Sequence, residues 1–186
     1  HEGKDFHQVT ADMAQISRKE AKTIGLGLMY GMGIAKLADS LDISPDEAKA
    51  LKKRYNDNVH FLNNIIIKAT RYTEQNGYIN TLLGRRCRFD LWENKDFHDK
   101  RMMNHENAKK TWAWNEMKRA GTYRALNRLI QGSAADQTKK AMVDLWKNIG
   151  VVPMIQIHDE LNVSITNETQ VKEIKEIMES AVELHV

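Results

Sequence analysis

Along residues 18–31, RKEAKTIGLGLMYG, the apolar residues Ala21, Ile24 and Leu28 recur three and four positions apart, while Arg18, Lys22, Leu26 and Tyr30 fall on the other side. That period predicts an amphipathic helix over 17–31, interrupted by the Gly31-Met32-Gly33 step before another short helix through Ser40. A short helix is expected ahead of it at 5–15. Ser44, Pro45 and Glu47 form a capping-box start with proline at the first helical position, so SPDEAKALKKRYNDN reads as helix. The next helix runs from about Val59 to Asn76 and stops at Gly77, the residue type that best tolerates the left-handed C-terminal turn. YINTLLGRRCRF reads as extended structure around Gly84, and 100–148 as helix broken near 120–122 and 131–133. Residues 151–165, VVPMIQIHDELNVSI, show a strand, a tight acidic turn and a second strand in which Leu161, Val163 and Ile165 alternate with Asn162 and Ser164. A helix over 168–183 follows. Helices gathered around a small antiparallel hairpin make the fold class α+β.

Composition narrows the picture. The 186 residues are 41% apolar, enough to bury a real core, and no apolar run nears the roughly 20 residues of a membrane span. No membrane partner is therefore expected, and the chain reads as soluble and cytoplasmic. A single cysteine, Cys87, excludes an internal disulfide framework and a multi-cysteine zinc site, which suits a reducing compartment. The net charge of +3 conceals segregation, because residues 1–67 are neutral, 68–150 carry +8 and 151–186 carry −5. The basic middle interleaves aromatics, as in KKTWAWNEMKRAGTYRALNR, a pattern suited to a polyanion with flat bases.

The opening helix has a cost to explain, since a glycine in a helix interior gives up about 1 kcal/mol relative to alanine. Positions four apart drift by only about 40°, so Arg18, Lys22, Leu26 and Tyr30 make one stripe covering about 120° of the surface. Two cations, an aliphatic side chain and an aromatic ring in that order match a ligand that is itself a line. A triphosphate would meet Arg18 and Lys22, a sugar Leu26 and a base Tyr30. Gly25 and Gly27 flank the stripe and would allow a base or a backbone to approach closely.

These residues carry a resemblance. RKEAKTIGLGLMYG resembles the nucleotide-binding helix of family A DNA polymerases, the bacterial polymerase I type, except at Leu26, where the family has an aromatic residue. GKDFHQVTA resembles the family segment that supplies a histidine near the incoming phosphates, here His7. GYINTLLGRR is similar to the duplex-contacting segment, with Arg85 and Arg86 as backbone ligands. NRLIQGSAAD resembles the stretch whose Asn127 and Gln131 touch primer and template, and QIHDELNV the palm hairpin whose aspartate binds metal. The resemblance implies a fingers subdomain at 1–118 with its nucleotide-binding helix at 17–31, and a partial palm at 119–186 with its metal-binding hairpin at 151–165. It implies dNTPs, primer-template DNA and the remaining polymerase domains as partners, and Mg2+, two ions in the complete enzyme, as cofactor. Asp159 becomes the metal ligand, with Glu160 in support and His158 near the primer terminus. Lys22 neutralises charge at the phosphates and is a candidate to protonate the pyrophosphate, while Arg18 clamps the terminal phosphate.

The departures matter as well. The family's other metal-binding aspartate lies in a D-Y-S-Q-I-E-like motif upstream of the matched blocks, and these 186 residues contain no such motif. The expectation is a piece of a larger enzyme that does not polymerise alone. Leu26 implies discrimination against dideoxynucleotides, relaxed by Leu26→Tyr. Leu26, together with the long segment from Leu91 to Lys118, leans toward a phage-like enzyme, and Tyr123 stands where bacterial relatives often carry arginine. The competing reading is a non-catalytic basic module that binds nucleic acid and uses HDE only as a turn.

Overall fold

Two serine–glutamate pairs start the main helices of the N-terminal half. Ser17 and Glu20 cap α2 (Arg18–Met29), and Ser44 and Glu47 cap α4 (Pro45–Asn58), each serine accepting from the glutamate N–H while the carboxylate accepts from the serine N–H. The computed structural model describes residues 5–96 and 98–184, so Gly3 and Lys4 of the GKDFHQVTA segment lie outside the described residues. Contacts divide the chain into two units, His1–Ile79 with Arg86–Arg128, and Asn80–Arg85 with Leu129–Val186.

In the first unit, α1 (Phe6–Ala14), α2, α3 (Ile34–Leu41), α4 and α5 (His60–Asn76) follow the predicted order with no end shifted by more than two residues. Their core contains Ala11, Ala14, Ala21, Ile24, Leu51, Tyr55 and Val59, all buried. The glycines of α2 belong to this core, which corrects the expectation that they open the stripe to a ligand. A Cβ on Gly25 would stand 3.0 Å from the Tyr55 hydroxyl, and one on Gly27 3.0 Å from the Met32 sulfur. Both glycines are buried, so the helix gives up propensity for close packing underneath.

Beyond α5, β1 (Tyr78–Asn80) and β2 (Arg86–Arg88) form a two-stranded sheet. The segment that follows is not the helix expected from residue 100 to the break near 120–122. It builds an antiparallel sheet in the order β4 (Met102–Met103), β3 (Trp92–Asn94), β5 (Met117–Arg119), with α6 (His105–Thr111) between β4 and β5. Ala108, Trp112 and Met117 are buried together with Trp92 and Met103 packed on them, and this local apolar cluster overrides the helical propensity of the intervening lysines and alanines.

In the second unit most of α7 (Ala125–Ile149) is one uninterrupted helix, so the break expected at 131–133 is absent. One glycine costs about 1 kcal/mol, which a 25-residue helix absorbs, and the Gly132 carbonyl accepts a hydrogen bond from Arg85. The predicted hairpin forms from β6 (Ile155–Ile157) and β7 (Glu160–Asn162), and α8 (Glu168–Ser180) covers it. Leu145, Val151 and Ile174 are the buried centre, with Leu161, Val163, Ile177 and Met178 around them. Ile165 lies past the end of β7 and is half exposed, so the alternation stops two residues earlier than predicted. The class is α+β, as expected, and no helix among the described residues is long and apolar enough to cross a membrane.

Candidate functional site

The stripe on α2 faces solvent with its underside sealed. Arg18, Lys22 and Tyr30 are exposed and Leu26 is half-buried, while Ala21 and Ile24 on the opposite face are buried. The last member sits just past the helix, where the Tyr30 N–H still donates to the Leu26 carbonyl at 3.0 Å, keeping the helical register. One residue outside the stripe ties this face to its neighbour. Asp5 caps α1, its Oδ1 accepting from the His7 and Gln8 N–H groups at 2.8 and 3.0 Å, while its Oδ2 accepts from Arg18 Nη2 at 2.6 Å and Nε at 3.2 Å. His7 and Arg18 are thereby brought to the same carboxylate. The Arg18 hydrogen bond above all, then the Gln8 N–H, the Arg18 charge and the His7 N–H, hold the Asp5 carboxyl below its ordinary value against a smaller opposing effect of burial. His7 Nδ1 is buried without a hydrogen-bond partner among the described residues. The N-cap signal in DFHQ was legible; the bridge to Arg18, 13 residues on, was not.

The two arginines of GRR are placed differently. Arg86 lies over the Tyr78 ring, its guanidinium carbon 4.2 Å from the centroid. Arg85 turns toward α7, donating from Nε to Asp136 Oδ1 at 2.7 Å and from Nη2 to the Gly132 carbonyl at 3.0 Å, with about half its side chain still exposed. Asp136 is buried and also accepts from Thr81 Oγ1. Burial alone would raise its pKa, but the Thr81 and Arg85 hydrogen bonds with the charges of Arg85 and Lys139 outweigh it and hold the carboxyl low. Ser133 Oγ adds an anchor by accepting from the Leu82 N–H at 2.9 Å. Sequence reasoning missed Asp136, although an aspartate among GSAAD on a helix is the type of group that binds a nearby arginine. Asn127 and Gln131 both lie on α7, four residues apart, the first half-buried and the second exposed.

In the second unit, His158 and Asp159 are the two residues joining β6 to β7, because Ile157 pairs with Glu160. His158 adopts a left-handed conformation with φ 53°, a cost of about 1 kcal/mol for a residue other than glycine. Gln156 Nε2 donates to the His158 carbonyl at 2.9 Å and steadies the turn. His158, Asp159 and Glu160 are all exposed, so this tip presents two carboxylates and an imidazole on a tight hairpin. Mg2+ takes six oxygen ligands, commonly one or two from protein carboxylates. Among the described residues no three His, Cys, Asp or Glu side chains converge on a metal position. The turn therefore fits the role of one carboxylate contributor and does not make a two-ion site by itself.

The family model for DNA polymerase family A matches residues 1–186. A DNA-directed DNA polymerase of Pseudomonas phage M6 is 33% identical over 216 residues, spanning 98% of this chain and 29% of that protein. A thermostable DNA polymerase I of Thermus filiformis is 32% identical over 201 residues, spanning 100% and 22%. Among solved structures, the POL domain of Pol1 from M. smegmatis, in complex with DNA primer-template and dNTP, superposes with a TM-score of 0.71 at 27% identity, covering 98% of this chain and 32% of that one. The chain thus spans less than a third of the length of these relatives. On the strength of a match that runs from its first residue to its last, the chain belongs to DNA polymerase family A.

Proposed function

We propose that the chain is the fingers region, residues 1–118, and part of the palm, residues 119–186, of a template-directed DNA polymerase that moves a nucleotidyl group from a dNTP to a primer 3′-hydroxyl. The observation that carries this reading is the stripe on α2, two exposed cations one turn apart followed by Leu26 and Tyr30 on a helix whose other side is locked into the core. Arg18 holds the terminal phosphate through the guanidinium donors that Asp5 does not use. Lys22 neutralises charge growing on the phosphates as the bond to the leaving pyrophosphate lengthens, and is the candidate to give that group a proton. Leu26 packs on the sugar, Tyr30 meets the base, and His7 stands near the phosphates.

In the palm portion, Asp159 is the carboxylate that would hold Mg2+ in part, with Glu160 in support; two ions, when bound, activate the 3′-hydroxyl and steady the pyrophosphate. His158 lies near the primer terminus. Asn127 and Gln131 read primer and template near the growing end, and Arg85 and Arg86 meet the duplex backbone. The relative from M. smegmatis, in complex with DNA primer-template and dNTP, supports nucleic acid and nucleotide as partners.

The reading is tested in the full polymerase chain that carries this segment. Lys22→Ala and Asp159→Ala should each lower single-nucleotide incorporation by about 10²- to 10³-fold while leaving the melting transition in place. Unchanged incorporation in Lys22→Ala would overturn the assignment. Equal binding of primer-template by parent and both variants, without any loss of incorporation, would favour a binding module instead.

A further inference from the structure

The segment between β2 and α7 forms a second feature that the polymerase reading does not use. Trp114 begins a short 3-10 turn, Trp114–Glu116, and is 67% exposed although indole is among the costliest side chains to leave in water. The turn is rigidly held. The Glu116 N–H donates to the Ala113 carbonyl at 2.9 Å, the Ala113 N–H donates to Glu116 Oε2 at 3.0 Å, and the Lys95 N–H donates to the Glu116 carbonyl at 2.7 Å. Lys95 Nζ closes the frame by donating to the Asn115 carbonyl at 2.7 Å.

Trp114 is also not alone. Its ring centroid lies 5.7 Å from that of Trp92, which stacks on His105 at 4.7 Å and an interplanar angle of 25° and carries the Arg119 guanidinium at 4.9 Å on its ring. The neighbouring core of Ala108, Trp112 and Met117 is complete without Trp114. Trp92, Trp114, Glu74, Lys95, Asn115 and Lys118 line an open pocket of about 420 Å³. That volume falls in the range of small-ligand sites. Lys118 lies 3.6 Å from Glu93 in a loose pair, and its side chain remains 46% exposed.

We infer that this pocket takes an unpaired nucleotide of single-stranded DNA, one base stacking on Trp114 and the adjoining phosphate meeting Lys95 and Lys118. A flat aromatic face framed by cations is the arrangement that binds single strands without sequence preference, since every base has a π-face and every nucleotide a phosphate. A protein partner would call for a wider apolar patch than one ring flanked by two lysines and a glutamate. Glu74 adds an acceptor for an exocyclic amino group. The choice of DNA as the strand rests on the polymerase reading; the stacking and the cations do not.

The experiment measures binding of an oligo(dT) strand to the full polymerase chain. Trp114→Ala should weaken it about tenfold, and Trp114→Phe should stay within about twofold of the parent. An abasic strand of equal length should bind the parent and Trp114→Ala alike. Thymidine 5′-monophosphate should fail to compete at concentrations where the strand saturates; effective competition would assign the pocket to free nucleotides and overturn the proposal. An unchanged oligo(dT) affinity in Trp114→Ala would overturn it as well. The two readings separate cleanly, because Lys22→Ala should alter dNTP incorporation and leave oligo(dT) affinity unmoved, whereas Trp114→Ala should do the reverse.

Discussion

The helix α2 and the β6–β7 hairpin both hold charged side chains out to solvent, but they are backed in opposite ways. Beneath α2, Ala21, Ile24, Gly25 and Gly27 are buried, and Tyr55, fully buried, fits against the missing side chain of Gly25. The hairpin packs only one face, through Leu161 and Val163, while Ile155 and Ile157 on the other strand remain more than half exposed. A charged stripe on a sealed support keeps its geometry through the support. A carboxylate on a two-stranded turn relies on the turn itself, here a left-handed His158 and one bond from Gln156.

The contrast can be broken most forcefully at its best-packed point. Ile24→Ala should cost about 2–5 kcal/mol in chemical denaturation, because its cavity lies within a closed core, whereas Ile155→Ala should change stability by less than about 0.5 kcal/mol. Equal losses at the two positions would erase the difference. A smaller effect is expected at the end of α2. Gly31 has φ +71°, and a side chain there would collide with the Tyr123 ring, so Gly31→Ala should cost about 1–3 kcal/mol, measured the same way. Smallest is the electrostatic version of the comparison, between the exposed Asp5–Arg18 pair and the buried Asp136 carboxylate. Both carboxyls are held low in the folded state, so each contributes stability above its ordinary value of 3.8, and that contribution is lost as pH falls through the lower folded value. The gap in melting temperature between parent and Asp136→Asn should therefore be full at pH 6 and shrink below pH about 4. For Asp5→Asn the gap should be slight throughout, since solvent screens the pair.

Much of this was readable from residue order. Period and caps gave α1 to α5, and alternation gave the hairpin, because those elements are decided by local chemistry. The capping box at Ser17 and Glu20 was equally readable and went unread. Other features depend on partners far along the chain. Gly25 and Gly27 look like openings until Tyr55 and Met32 are seen filling them. The sheet around Trp92 forms because Met103, Trp112 and Met117 meet there, which no helical period in KKTWAWNEMK announces. Arg85 reads as a free cation in LLGRR, and only the fold brings Asp136, 51 residues away, to its Nε. The stripe itself was legible, since four residues at one spacing fix a line on any helix. The Asp5 link to Arg18 was not, because it crosses from one helix to the next.

That link has a consequence for any anion arriving at Arg18. The guanidinium has five N–H donors, and Asp5 engages two of its nitrogens, so an incoming oxygen either joins at the remaining donors or trades places with the carboxylate. Trading places leaves the local charge balance nearly as it was, and α1 keeps its cap through the other Asp5 oxygen. Such an exchange releases few counterions, so capture at this position should respond weakly to added salt even when the rest of the surface responds strongly.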